Sequence, residues 1–180
     1  MLKKPIYILL YASLLLGLSA CGTDSIDNNR RTGYFIDSPV KGINYDCGDI
    51  SGVTDAQGSF SCEKPPITFK LGEMKIGILK SFTKDNKMYP QDLLGLRREN
   101  FSDKELIKLI RLLQSLDDDE DISKTITITS DMATSFTSNL NFSKSIFEIL
   151  ASPAKGTLVS EEDAIKHLQN SMGADAHITK

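Results

Sequence analysis

The chain has 180 residues, with 21 Lys and Arg against 24 Asp and Glu, a formal charge of −3 at pH 7 and no tryptophan. No basic patch stands out, so nucleic acid is not an expected partner, and attraction to anionic lipid head groups is not expected either. The length suits one domain, or two small ones, with enough chain for a real core.

Lys3 and Lys4 precede an apolar run from Ile6 to Leu16, and Leu18-Ser19-Ala20-Cys21 follows. A basic start, a short apolar stretch and small residues before a cleavage point make a secretory signal. The cysteine after the small residues makes that site a lipobox. In this reading residues 1–20 are removed, the Cys21 thiol carries a diacylglycerol, and the new amino terminus is acylated with a palmitate-type chain. A transmembrane anchor is the alternative, but about ten apolar residues fall short of the roughly 20 that span a bilayer. Removing Lys3 and Lys4 leaves a 160-residue mature chain of charge −5. Each buried CH₂ of the lipid contributes about 0.8 kcal/mol to anchoring.

Residues 21–32 are polar apart from Cys21 and Ile26, which predicts a flexible lipidated tether. Residues 33–80 read as a small antiparallel β-sandwich. Tyr34-Phe35-Ile36 is strand-like and ends at Asp37-Ser38-Pro39, and Val40 to Cys47 forms a second extended piece. Asp55-Ala56-Gln57-Gly58 has the Asp and Gly positions of a type I turn. Ser59–Cys62, Ile67–Leu71 and Met74, Ile76 and Ile78 alternate as half-buried strands do. The aromatics Tyr34, Phe35, Tyr45, Phe60 and Phe69 fit the β core, with a ligand platform as the alternative.

Residues 81–175 read as mainly helical and packed on the β part, so the fold class is α+β. Ser102 and Glu105 form a capping box, with Phe101 and Leu106 placed as a staple. Leu106, Ile107, Ile110, Leu113 and Leu116 share one helical face. The acidic run Asp117–Asp121 ends this helix, and Thr125–Thr129 alternates strictly. Met132, Phe136 and Leu140 predict a helix over 131–140, and Ile146 to Leu150 a short one. Ser160 caps a last helix carrying Ala164, Ile165, Leu168 and Met172.

Cys47 and Cys62 lie 15 apart. An oxidising compartment predicts a disulfide that locks a hairpin, closing a loop worth about 3 kcal/mol. Two free buried thiols remain open, while zinc lacks a nearby histidine. Asp117, Asp119 and Asp121 are candidate calcium ligands, since closely spaced carboxylates supply the oxygen donors calcium prefers. The alternative is a solvated helix end, and the run lacks the EF-hand positions. For catalysis little is present: His167 and His177 are the sole histidines, and neither a Gly-x-Ser-x-Gly elbow nor a His-Glu-x-x-His pair occurs.

Three stretches carry a resemblance. Gly33 to Tyr45 with Val40-Lys41-Gly42-Ile43-Asn44-Tyr45, then Gly52-Val53-Thr54-Asp55-Ala56-Gln57-Gly58-Ser59-Phe60, then Phe69-Lys70-Leu71-Gly72 resemble a module of bacterial surface lipoproteins and adhesin-like proteins. Relatives of the accessory colonization factor lipoproteins carry similar modules. Residues 110–119 and 158–169 resemble later segments of the same family. The hairpin region also resembles the transthyretin-like fold of carboxypeptidase regulatory domains. The resemblance implies a fold and a surface setting, while the segments that carry catalysis or adhesion in large members have no counterpart here. The expected function is therefore a lipid-anchored, non-catalytic binding or adhesion module at the outer membrane, contacting an envelope protein or a glycan. An accessory lipoprotein of an envelope complex is the alternative, and a small hydrolase the weaker one.

Overall fold

The computed structural model describes residues 29–137, 141–150 and 158–176. The signal peptide, Cys21, most of the tether and His177 lie outside the described residues. The chain runs through β1 (Arg31–Phe35), β2 (Val40–Lys41), β3 (Asn44–Cys47), β4 (Ile50–Val53), β5 (Ser59–Cys62), β6 (Ile67–Leu71), β7 (Met74–Leu79) and β8 (Lys87–Met88). There follow α1 (Pro90–Leu94), α2 (Lys104–Ser115), β9 (Ile126–Thr127), α3 (Ser130–Thr134), α4 (Ile146–Leu150) and α5 (Glu161–Ala176). This is the mixed α+β content expected, but β1 already begins at Arg31, inside the segment read as tether.

Three sheets form. One is ordered β4-β3-β6-β7, with every neighbouring pair antiparallel. The second is β5-β1-β8, in which β1 pairs antiparallel with β5 and parallel with β8. The third is the parallel pair β2-β9. Alternation explains the first two: Tyr45, Phe60, Phe69 and Phe35 are buried at every second position of their strands. Their rings meet between the sheets, Phe60 against Phe69 at 5.0 Å and Phe35 against Phe69 at 5.9 Å, both edge-on. Tyr34 points the other way and is 39% exposed.

The second extended piece is split where sequence alternation gave no warning. Gly42 adopts φ +93°, and a Cβ there would lie 1.9 Å from the Ile128 carbonyl oxygen. The chain turns at this point from β2, beside β9, into β3. A register shift in β6–β7 leaves Ile76 unpaired, so the core-facing series becomes Met74, Ile76 and Leu79, with Ile78 only half-buried.

The α2 helix is buried on two faces rather than one. Leu109, Leu112, Leu113 and Leu116 join the β core, while Leu106 and Ile110 pack with Tyr89, Ala164 and Leu168. Ile107, expected inside, is half-exposed. Asp103 caps α2, its carboxylate accepting from the Glu105 and Leu106 amides. Ser102 instead donates its backbone N–H to Asn100. Ser160 sits before α5 as expected, its hydroxyl accepting from the Asp163 amide at 3.1 Å. The helix expected over 131–140 is short: α3 ends at Thr134.

Candidate functional site

Cys47 and Cys62 are brought to disulfide distance, with Cα atoms 5.7 Å apart. They stand on β3 and β5, in different sheets. The pair therefore joins the two sheets instead of locking one hairpin.

The acidic run does not gather into a calcium cage. Asp117 is buried, and its Oδ1 accepts from the Thr127 amide at 2.7 Å. Asp119 accepts from the Asp121 amide, and Asp121 accepts from Ser123 and pairs with Lys124. The carboxylates are spent on turn and strand hydrogen bonds at successive positions. Among the described residues, no three His, Cys, Asp or Glu side chains converge on one metal position. Burial, opposed by the Thr127 amide, pushes the Asp117 carboxyl above the ordinary range, and neighbouring Asp119 adds to the rise.

A cavity of about 530 Å³ lies where β2, β9, α3 and the β6–β7 turn meet. Its floor depends on two glycines. Gly42 passes against the Ile128 carbonyl, and at Gly72 a Cβ would fall 2.1 Å from the Ala133 carbonyl oxygen. The Glu73 amide donates to the Phe136 carbonyl at 2.8 Å, tying the β6–β7 turn to the chain after α3. Thr54, Thr127, Thr129, Ser130, Thr134 and Thr137 line the walls; the Thr54 and Thr129 hydroxyls accept from the Ile43 and Met132 amides, and the Thr134 hydroxyl donates to the Asp131 carbonyl. Lys41, Asn44 and Glu73 add a cation, an amide and a carboxylate, while Val53 and Ala133 supply apolar surface. A threonine hydroxyl can donate once and accept twice, so those of Thr54 and Thr129 keep a proton to donate, while that of Thr134 keeps acceptor capacity alone. Part of this site was visible in the alternation of residues 125–129: Ile126 and Ile128 are buried, which sends Thr127 and Thr129 to the other face. The meeting of that face with Asn44, Thr54 and Glu73 was not, because nothing local marks a pairing between residues 40 and 126.

A second polar constellation surrounds the turn after β1. Ser38 adopts φ +57° and is 8% exposed. Its hydroxyl donates to the Ile122 carbonyl at 2.7 Å and lies 3.2 Å from His167 Nε2. His167 Nε2 is also 2.9 Å from the Asp37 carbonyl oxygen. A carbonyl only accepts, so Nε2 carries the proton and donates. Burial holds His167 below its ordinary value, with the Asp37 carbonyl bond opposing, so the ring is neutral near pH 7. With Nε2 protonated and the Ser38 proton directed at a carbonyl, His167 does not deprotonate Ser38. The arrangement clamps α5 to the β1–β2 turn. Beneath it Asp37 is fully buried, which drives its carboxyl well upward, and Gln114 Nε2 donates to both its oxygens, at 3.0 and 3.3 Å, and to the Ala164 carbonyl. The sequence marked Asp37-Ser38-Pro39 only as a strand end.

Comparison with protein-family models, with curated proteins and with solved structures gives no match.

Proposed function

We propose that this chain is a lipid-anchored protein of the bacterial cell envelope whose folded part binds a small polyhydroxylated ligand, a glycan end, without turning it over. The observation that carries the reading is the hydroxyl-lined cavity. Its threonines offer a mixed donor and acceptor pattern that suits a sugar, and Val53 and Ala133 supply apolar surface for the C–H faces. The cysteine pair fits an oxidising compartment. The protonated Nε2 of His167 speaks against a serine–histidine dyad. The resemblance to surface lipoprotein modules points the same way, and the lipobox at Cys21 supplies the anchor.

Two measurements test it. Full-length protein in detergent micelles is applied to a glycan array, and the best ligand is titrated against wild type and Thr127→Val. The variant keeps shape and loses a hydroxyl, so binding is expected to weaken about tenfold, the loss of one hydrogen bond. No glycan binding by a folded protein overturns the ligand. Separately, Cys21→Ser is expected to move the protein from the membrane to the soluble fraction, and retention in the membrane overturns the anchor. Protease digestion on intact cells then decides between an outward and a periplasmic face.

A further inference from the structure

The cavity between β2, β9 and α3 carries charge as well as hydroxyls. Lys41 and Glu73 are the charged side chains that line it. Register places Lys41: Val40 and Ile126 pair and are buried, so their neighbours Lys41 and Thr127, which also pair, stand together on the cavity face. Glu73 comes from a different wall, the β6–β7 turn. Its carboxylate acts through space on Lys70, and Lys70 is the register partner of Asn44, which lines the cavity. The Glu73 charge therefore lies on the side of the sheet that Asn44 occupies.

Neither charge is neutralised on the spot. Lys41 and Glu73 do not pair with each other, and among the described residues no side chain pairs with Lys41. Lys70 is already bonded to Asp46, so it offsets Glu73 only at a distance. Both lining side chains are exposed, and water solvates them in the free protein. A neutral sugar would displace that water and return nothing to the charges, which costs free energy. A sugar with one charge answers one of them and brings itself near its like. A sugar carrying both signs replaces the water at each. The cavity, at about 530 Å³, is of ordinary size for a small-molecule site.

We propose, resting on the reading of this cavity as a glycan site, that it selects a sugar bearing both a carboxylate and an ammonium group, with the carboxylate at Lys41 and the ammonium at Glu73. The test titrates full-length protein in detergent micelles and follows amide chemical shifts, which register weak binding. Muramic acid, an amino sugar with a carboxylate arm, is the probe. Glucuronic acid carries the carboxylate alone, glucosamine the ammonium alone and glucose neither. At about pH 6 the amines are protonated and the carboxyls ionised. Muramic acid is expected to bind about tenfold tighter than either singly charged sugar, with shifts at Lys41, Glu73 and Thr127. Lys41→Met is expected to bring muramic acid down to the level of glucosamine, and Glu73→Gln to that of glucuronic acid. Both positions are exposed, and the variants are compared as folded proteins. The proposal is overturned if either singly charged sugar binds as tightly as muramic acid, or if both folded variants keep the wild-type preference. Equal binding of all four sugars, or binding of none while the array shows a glycan, overturns the charge selection alone. An empty array overturns the glycan reading with it.

Discussion

Arg98 holds a larger share of the structure than its sequence position suggests. Its guanidinium reaches Asp85 at 2.8 Å, Asp92 at 3.1 Å and the Lys87 carbonyl at 2.7 Å, and lies 4.6 Å from the centre of the Tyr89 ring. Burial alone would raise the Asp85 carboxyl, yet its bonds, led by Arg98, bring it down to about 2. Arg98→Met is expected to lower stability by about 2 kcal/mol, in the range for hydrogen bonds to charged groups, as chemical denaturation would show. Asp37 and His167 act on pH in opposite senses. Asp37 binds its proton more tightly folded than unfolded, so its contribution is full at acid pH and is lost as pH rises through the raised folded value. His167 has a lowered folded value, so its contribution is present above the ordinary 6.5 and is lost as pH falls through the folded value. Melting curves across about pH 4 to 8 should show Asp37→Asn gaining on wild type as pH climbs. His167→Gln, which keeps a donor, should lose less than wild type at the acid end. A profile unchanged by either substitution would mean that these groups do not set the pH response. At this scale the sequence was a fair guide where a side chain acts on its own neighbours. Ser160 was legible as a cap. Ser102 was misread because Asp103, one residue on, offers a carboxylate to two amides at once.

Single elements were legible wherever a period repeats over four or more residues. β5 and β6 follow from alternation, and α2 and α5 from helical spacing. The two-residue strands β2, β8 and β9 carry no period, although the Thr125–Thr129 alternation does mark the neighbourhood of β9. The bulge in β7 was hidden because Ile78 continues the alternation in sequence while Leu79 takes the core place in space. Gly77 beside that bulge lets α1 lie against the sheet: a Cβ there would stand 2.7 Å from Leu93 Cβ and 2.9 Å from its carbonyl oxygen. Gly77→Ala is expected to cost about 1–3 kcal/mol, the range for overpacking, read as a lower denaturation midpoint with unchanged slope. The cysteine pair was legible as a pair, and its partner sheets were not. Reduction of Cys47–Cys62 should lower stability by about 3 kcal/mol and Tm by roughly 10 °C. An unchanged Tm would show that the sheets hold without it.

For the whole molecule, the change in composition near residue 80 marks a change of element type and not a break in the core. Residues from β1 to β7 share one buried cluster with Leu109, Leu112, Leu113, Leu116 and Ile126. The α+β class was legible, while the arrangement of sheets was not, since the parallel pairs β1–β8 and β2–β9 depend on partners far along the chain. A chain ending at residue 80 lacks β8, β9 and α2. It leaves the outer edges of β1 and β2 unpaired and apolar surface bare. Such a fragment is expected to aggregate or to give amide spectra without dispersion, whereas a dispersed, monomeric spectrum would show that the β part folds alone.

The parallel pairing of Val40 with Ile126 also sets an order of events. A chain that emerges amino end first presents β2 long before its partner β9 arrives. Closure of β2 waits for β9, and the cavity between them takes shape only when α3 has followed. The cavity is thus a feature acquired late in emergence, and a chain stalled midway would expose strand edges and no cavity.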